Sequence, residues 1–173
     1  MTDRGRLWER LRTYGFSAAV VVVLLFLVTC CRFYLVPTAS MDPVIAPGAR
    51  IVALTVPYGL THRLARGDVA VFDSPVDFPG QPEGETLVKR VVAVGGDEVL
   101  LSDGTLYVNG KPSPWQGESA NLGSFAITVP DGRYFMMGDN RVDSLDSRYF
   151  GTVDAQSVRG KAVAVYLPYL RGL

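Results

Sequence analysis

The sequence predicts a mainly β fold, in which a small antiparallel β-sheet or barrel-like domain follows one N-terminal transmembrane helix. The first observation behind this prediction is a single uncharged apolar run at residues 13–31. The second is a series of short segments rich in Val, Ile, Tyr and Phe, which Gly, Pro, Asn and Asp separate. After residue 32 no long segment repeats its apolar residues about every 3.6 positions, so a helical domain is not expected.

The uncharged run at residues 13–31 predicts a membrane-spanning helix. As a helix it would be about 28 Å long, which is enough to cross the hydrocarbon core of a bilayer. Four arginines precede the run, and only Arg32 and Arg50 follow it within the next twenty residues. The positive-inside rule therefore predicts a cytoplasmic N-terminus at residues 1–12 and an extracytoplasmic β-rich domain at residues 32–173.

Removal of the apolar run as a signal peptide is the main alternative to a retained anchor. A signal peptide has a shorter apolar core followed by a small-x-small cleavage site, and residues 32–35 contain no such site. A lipoprotein processing site at residues 27–30 would place Thr29 where Gly, Ala or Ser is expected. We therefore expect a single-pass protein whose anchor is retained.

The segments after residue 32 alternate between strand-like and turn-like composition. Ser102-Asp103-Gly104 and Asn109-Gly110 have the spacing of successive hairpin turns. Residues 73–85 and 111–124 are predicted as surface loops, and one helical turn is predicted at residues 153–157. The predicted strands are Arg50 to Val56, Asp68 to Phe72, Thr86 to Val94, Glu98 to Leu101, Leu106 to Val108, Phe125 to Val129, Tyr134 to Met137 and Val158 to Tyr166.

Composition excludes several classes of function. The chain has 17 basic and 17 acidic residues, so it lacks the basic surplus that binding to nucleic acid requires. Its two cysteines, Cys30 and Cys31, are adjacent, and its one histidine is His62. We therefore expect no disulfide in the folded domain and no metal or cofactor.

The first candidate for chemistry is Ser40, which lies between Pro37 and Pro43 just after the apolar run. In acyl transfer a serine hydroxyl attacks, its own backbone N–H points at the developing oxyanion, and a neighbouring hydroxyl donates a second hydrogen bond. Thr38 could supply that second hydroxyl. The plain alternative is a linker, where Ser and Thr between prolines are common.

The second candidate is Lys89, in the apolar segment at residues 87–92. A lysine base must lose its proton near neutral pH, so its pKa must fall by about three pH units from about 10.4, at a cost of about 4 kcal/mol. Strand alternation places Lys89 and Arg90 on opposite faces and does not say which of them points inward. The alternative is that both lie on the solvent side of an edge strand.

The third candidate is a dense polar loop at residues 138–151, between two apolar strands. An ion pair between Asp146 and Arg148, with hydroxyls from Ser144 and Ser147, would satisfy its polar groups. A solvated hairpin loop and a calcium loop are alternatives, although the spacing is not that of an EF-hand. A Ser-His-Asp triad using His62 is set aside, because that histidine lies in a polar stretch without apolar shielding.

These three elements, in this order, resemble the type I signal peptidases, which are membrane-bound serine proteases with a Ser-Lys dyad. Residues 40–43 (SMDP) are similar to the family's nucleophile box Ser-Met-x-Pro, and residues 88–97 (VKRVVAVGGD) are similar to its lysine box. Residues 138–151 (GDNRVDSLDSRYFG) are similar to its third box. The resemblance covers residues 37–163 and the anchor. The chain departs from the larger members in having one anchor and no long insertion between the second and third boxes.

The resemblance implies that Ser40 is the nucleophile and that Lys89, not Arg90, is the general base. Thr38 stands where many members have serine, and its hydroxyl would complete the oxyanion hole. In the third box, Ser144 would hydrogen-bond the lysine amine. The ion pair that would support the site is formed by Asp146 and Arg148.

The function implied is a serine endopeptidase of the bacterial cytoplasmic membrane that removes signal peptides from exported preproteins. Its expected partners are preproteins with small residues before the cleavage site, and the lipid bilayer. One alternative is a peptidase dedicated to a single pilin of a conjugal transfer system. Another is a non-catalytic, membrane-tethered β module that binds an extracytoplasmic partner. A self-cleaving repressor is less favoured, because the chain has an anchor and no DNA-binding segment.

Overall fold

The computed structural model describes residues 3–55, 63–75, 84–117 and 123–167. His62, the end of the first predicted strand at Val56, and parts of both predicted surface loops lie outside the described residues. The helices and strands, in chain order, are α1 (Asp3–Cys30), β1 (Cys31–Val36), β2 (Ala49–Leu54), β3 (Val69–Asp73), β4 (Thr86–Val94), β5 (Glu98–Ser102), β6 (Thr105–Val108), β7 (Lys111–Pro112), β8 (Phe125–Thr128), β9 (Arg133–Met137), α2 (Ser147–Phe150), β10 (Val153–Asp154) and β11 (Val158–Leu167).

The N-terminal helix α1 contains the predicted membrane span. Its segment Arg12–Cys30 has a mean hydropathy of 2.2 and is long and apolar enough to cross a membrane. The helix ends at Cys30, whose carbonyl accepts hydrogen bonds from the backbone N–H and the hydroxyl of Thr55. These bonds satisfy one of the carbonyls that a helix C-terminus leaves unpaired, and they attach the helix to the end of β2.

The main sheet has seven strands in the order β1-β2-β11-β3-β4-β9-β10, and every pairing is antiparallel. Register shifts interrupt the pairing of β11 with β2 and β3 and of β4 with β9. Such irregularities bend the strands, so the sheet curls as expected for a barrel-like domain. The prediction of a mainly β fold behind one apolar helix is confirmed.

The second sheet has four strands in the order β7-β6-β5-β8. Two tight turns connect β5, β6 and β7, and both turn residues that are not glycine, Asp103 and Asn109, have positive φ. Asp-Gly and Asn-Gly pairs suit this conformation, because Asp, Asn and Gly tolerate the left-handed region best. The predicted hairpin turns are confirmed.

Strand β4 contributes side chains to all three hydrophobic clusters of the core. Val88 packs in a cluster with residues of β1 and β2, Val91 packs in a second cluster, and Val92 and Ala93 join the third cluster beneath the second sheet. Because β4 is buried on both faces, a polar side chain on it loses contact with water and costs free energy unless it finds a hydrogen-bond partner. Lys89 lies in the middle of this strand.

Four short or shifted elements differ from the prediction. Strand β1 follows α1 directly, without the breaker residues from which a sequence pattern would place a boundary. Strands β7 and β10 have two residues each, too few for a periodic signal. Helix α2 falls within the predicted polar loop, and the predicted turn at 153–157 is β10 followed by a 3₁₀ turn at Ala155–Ser157.

Candidate active site

Ser40 lies in the turn that follows β1, and it is only 6% exposed. Its Oγ is 3.2 Å from the Oγ1 of Thr38. Its carbonyl accepts a hydrogen bond from the backbone N–H of Asn140, and the side-chain amide of Asn140 donates to the carbonyl of Ala39. The next residue, Met41, is fully buried. These contacts fix the serine backbone against the polar loop that begins at residue 138.

Lys89 is buried in the middle of β4, with 4% of its surface exposed. Within the described residues its ammonium has no hydrogen bond and no ion pair. Desolvation lowers the pKa of Lys89 to about 8, while the nearby charge of Asp146 acts in the opposite direction and that of Arg148 lowers the pKa further. Lys89 therefore has the lowered basicity that a lysine base requires.

Arg90, the other candidate on this strand, is committed to structural contacts. Its guanidinium forms a two-point ion pair with Asp139 at 2.7 Å and also donates to the carbonyl of Gly67 at 2.7 Å. The hydrogen bond to Asp139 raises the pKa of Arg90. The two adjacent cations of β4 thus have different environments: Arg90 is paired, whereas Lys89 is desolvated.

Asp146 is the centre of the polar loop. Its side chain and that of Arg148 are fully buried, and the shortest contact between them is 2.8 Å. The carboxylate also accepts hydrogen bonds from the Ser144 hydroxyl at 2.7 Å and the Gly138 N–H at 2.9 Å. Ser147 does not take part as expected, because its hydroxyl accepts from the N–H of Met136 instead. Ser144 keeps lone pairs that could accept from an amine.

Gly138 allows the loop to approach the serine closely. A Cβ at this position would lie 2.3 Å from the Ser144 Oγ and 2.4 Å from the Ser40 carbonyl oxygen. No side chain fits such contacts, so the backbone of Gly138 can lie between the two serines only as glycine. Gly138 therefore determines how closely the polar loop can approach the segment that contains Ser40.

Arg141 is a buried residue of the loop that the sequence did not single out. It is 3% exposed, and it donates to the carbonyls of Gly138 and Trp115. Its own carbonyl accepts from the guanidinium of Arg148. Desolvation lowers the pKa of Arg141 to about 10. Arg141 links the loop to the connection between β7 and β8 of the second sheet, a non-local contact without a local sequence signal.

A cleft of about 350 Å³ contains four of the predicted site residues, Thr38, Ser40, Lys89 and Ser144. Asp146 and Arg148 do not line it and lie behind Ser144. The other lining residues were not predicted individually: Glu85 and Leu87 lie on or beside β4, and Val142, Asp143, Leu145 and Tyr149 lie in the predicted polar loop. Within the described residues no group of three or more His, Cys, Asp or Glu side chains could hold a metal ion. The cleft therefore combines the Ser40 hydroxyl and a desolvated amine with the further hydroxyls of Thr38, Ser144 and Tyr149.

Comparison with known families identifies the kind of enzyme. A family model described as "Signal peptidase, peptidase S26" matches residues 9–167. The chain belongs to this family. It is therefore a serine endopeptidase of the signal peptidase type, and the non-catalytic module considered from the sequence is wrong.

Two bacterial relatives agree with the S26 assignment. Signal peptidase I of Bacillus licheniformis is 36% identical over 165 residues, which cover 87% of this chain and 84% of the relative. Signal peptidase IB of Staphylococcus aureus is 33% identical over 177 residues, covering 88% and 87%. The crystal structure of a signal peptidase I from Enterococcus faecalis is 33% identical, with a TM-score of 0.46, over 57% of this chain and 96% of that one.

Proposed function

We propose that this S26 peptidase is a membrane-anchored enzyme that removes signal peptides from exported preproteins, with Ser40 as nucleophile and Lys89 as general base. The observation that carries the proposal is that both residues line one cleft, in which burial lowers the pKa of Lys89 to about 8. At that pKa about a tenth of the Lys89 side chains are neutral at pH 7 without any further change. The names of the relatives supply the substrate class.

In the acylation step, the neutral Lys89 amine accepts the hydroxyl proton of Ser40 while the serine oxygen attacks the scissile carbonyl. The resulting ammonium then gives its proton to the leaving amine, and an acyl-enzyme is formed. Water hydrolyses this ester with Lys89 again accepting a proton, which returns to Ser40. The cycle consumes only water, and the proton count balances at each step.

The developing oxyanion needs donors that are already in place. We assign this role to the backbone N–H of Ser40 and the hydroxyl of Thr38, whose Oγ1 lies 3.2 Å from the Ser40 Oγ. The contact with Asn140 supports the assignment, because it holds the carbonyl of Ser40 and thereby the orientation of the turn.

Behind the dyad, we assign Ser144 the role of orienting the Lys89 amine. Its hydroxyl proton is directed at Asp146, so its lone pairs are available to accept a hydrogen bond from the amine. Arg148 balances the charge of Asp146. This pairing limits how far the carboxylate can stabilise a protonated Lys89, which keeps the lysine basicity low.

The anchor gives the site its location in the proposal. Helix α1 would cross the cytoplasmic membrane once, with the N-terminus in the cytoplasm and the β domain outside, in agreement with the arginines that precede the span. A signal peptide held in the same bilayer would present its cleavage region to the cleft in extended form. Small side chains at the first and third positions before the bond would fit the shallow apolar surfaces near Ser40.

The test of the proposal is cleavage of a preprotein by the full-length protein in detergent or vesicles. Ser40→Ala is expected to reduce the cleavage rate by about 10⁴-fold, and Lys89→Met by about 10²- to 10⁴-fold. Lys89→Met is also expected to keep or raise the melting temperature, because methionine fills the same volume without a desolvated charge.

The matched control is Lys111→Met, which removes an exposed lysine on β7 and is expected to leave cleavage unchanged. Mass spectrometry of the mature product and thermal melts report activity and fold separately. Cleavage by Lys89→Met at the wild-type rate would refute the assignment of the base.

A further inference from the structure

Apart from Lys89, the charged side chains that line the cleft are carboxylates. Among the described residues that line the cleft, Lys89 is the only cation, and it is buried. Glu85 and Asp143 line the same cleft, and both are exposed. A substrate in the cleft therefore meets two carboxylates that the mechanism proposed above does not use.

Glu85 differs from the other carboxylates around β3 and β4. Asp73 is paired with Arg159, Asp68 with Lys161, and Asp139 with Arg90. Within the described residues the side chain of Glu85 has neither an ion pair nor a hydrogen bond. Its charge is therefore available to a ligand in the cleft.

The pairing of β4 determines where an extended peptide can lie. Strand β3 pairs with β4 from Thr86 to Arg90, whereas β9 pairs with it only from Arg90 to Val94. Within the described residues, no strand therefore pairs with the β9-side edge of β4 from Thr86 to Lys89. A peptide that adds to this edge can extend from Lys89 in one direction only, toward Glu85, because β9 occupies the other direction.

The distance along this edge gives the position of Glu85 relative to the cleaved bond. Glu85 precedes Lys89 by four residues, which corresponds to about 13 Å at the rise of a β-strand. Glu85, Leu87 and Lys89 all line the cleft, as strand alternation requires of side chains on one face. An extended substrate has the same rise, so its residues four to six positions before the scissile bond lie opposite Glu85.

We propose that Glu85 determines substrate specificity: it favours preproteins with a basic side chain four to six residues before the cleaved bond and disfavours those with an acidic one. The inference rests on the proposed function and adds a charge preference to it. Because Glu85 is exposed, its effect is modest and sensitive to salt.

The experiment compares preproteins that carry Lys, Gln or Glu at the fourth, fifth or sixth position before the bond, cleaved by the full-length enzyme in a neutral detergent. At low salt we expect kcat/KM to favour Lys over Glu by about three- to fivefold at one or more of these positions. The preference should vanish in Glu85→Gln, reverse in Glu85→Lys, and weaken in about 1 M salt, where the Debye length is about 3 Å.

Two variants act as controls. Glu98→Gln removes an exposed carboxylate of the second sheet and should leave the charge preference intact. Asp143→Asn should change the pH dependence of cleavage, because Asp143 raises the pKa of Lys89, whereas Glu85 is not among the groups that shift it. For substrates whose charge lies four to six residues after the bond, kcat/KM should be the same in the wild type and in the Glu85 variants.

The outcomes separate this inference from the function on which it rests. If the wild type cleaves Lys and Glu substrates equally, or if a preference persists in Glu85→Gln, the role of Glu85 is wrong and the proposed function stands. If the wild type cleaves none of these preproteins faster than Ser40→Ala does, the proposed function fails, and this inference fails with it.

Discussion

The polar loop at residues 138–151 and the second sheet are stabilised in different ways. The loop buries Arg141, Asp146 and Arg148 and pairs them with one another and with backbone groups. Among the described residues, the Nη1 atom of Arg148 is buried without a hydrogen-bond partner. The second sheet instead covers an apolar cluster that includes Leu101 and Leu106, both almost fully buried. The loop therefore buries several charges, which costs free energy, whereas the second sheet relies mainly on apolar burial. Asp97, just before β5, is a buried carboxylate outside the cleft, and it is paired with Arg66.

This contrast extends to how each region obtains its shape. The second sheet depends on local turns at Asp103-Gly104 and Asn109-Gly110. The loop depends on contacts between segments far apart in the sequence, such as Asn140 with Ser40 and Arg141 with Trp115. Changes in the loop should therefore affect fold and catalysis together, whereas changes in the second sheet should affect stability alone.

The largest effect is expected from Asp146→Asn, which leaves the buried guanidinium of Arg148 without its counter-charge. We expect a loss of about 3 to 5 kcal/mol in the free energy of unfolding, together with loss of cleavage. Denaturant unfolding measures the first quantity. Asp154→Asn is the matched control: Asp154 caps the 3₁₀ turn near the surface, so its replacement should cost about 1 kcal/mol or less. Equal costs for the two variants would contradict the view that the fully buried Asp146 contributes more to stability than the partly buried Asp154.

A smaller effect, on stability alone, is expected from Leu106→Ala in the second sheet. The side chain is 1% exposed, so its truncation leaves a cavity and should cost about 2 to 4 kcal/mol. Below the melting transition, kcat/KM per folded molecule should stay at the wild-type value. A large fall in kcat/KM of the folded variant would mean that the second sheet also positions the cleft, and the comparison between the two regions would then need revision.

The smallest effect concerns the pH dependence of cleavage. The base must be neutral, and the pKa of Lys89 is about 8, so kcat/KM should fall about tenfold per pH unit below pH 8 and level off above it. Asp143→Asn removes a charge that raises the pKa of Lys89, so the midpoint should move to lower pH. Glu98→Gln should leave the profile unchanged. A wild-type profile that is flat between pH 6 and 9, a range around the expected pKa, would contradict a lysine base.

Local signals in the sequence account for most of the predicted fold. Strand β4 has the predicted bounds, Thr86–Val94, and the strands of the second sheet begin and end within a residue or so of turn signals. The apolar helix was predicted from its length and lack of charge. By contrast, β1 continues directly from that helix, and β7 and β10 pair over only two residues. Tertiary pairing creates β7 and β10, whose length is too short for a local pattern, whereas β1 was missed because no breaker residue separates it from the helix.

In the candidate site, too, some features could be predicted from local sequence and others depend on contacts between distant segments. Ser40, Lys89 and the third element could be identified from motifs, although strand alternation alone left Lys89 and Arg90 equivalent. What distinguishes the two is the partner of Arg90, Asp139, which lies far along the chain. The roles of Ser147 and Arg141 likewise depend on contacts between distant segments. The sequence indicates which polar side chains are candidates for the site, whereas their hydrogen-bond and ion-pair partners depend on how the sheet packs.

The hydrogen bonds at the end of the apolar helix have a consequence for where cleavage can occur. Helix α1 passes into β1 without a linker, and β1 is paired along its whole length with β2, while Thr55 holds the last helical carbonyl. The six residues of β1 correspond to a rise of about 20 Å between the helix end and the turn that carries Ser40. With the helix embedded as proposed, Ser40, the proposed nucleophile, would be held at a limited height above the bilayer. That height, rather than the sequence of the substrate alone, would define which peptide bond of a membrane-held chain can be reached.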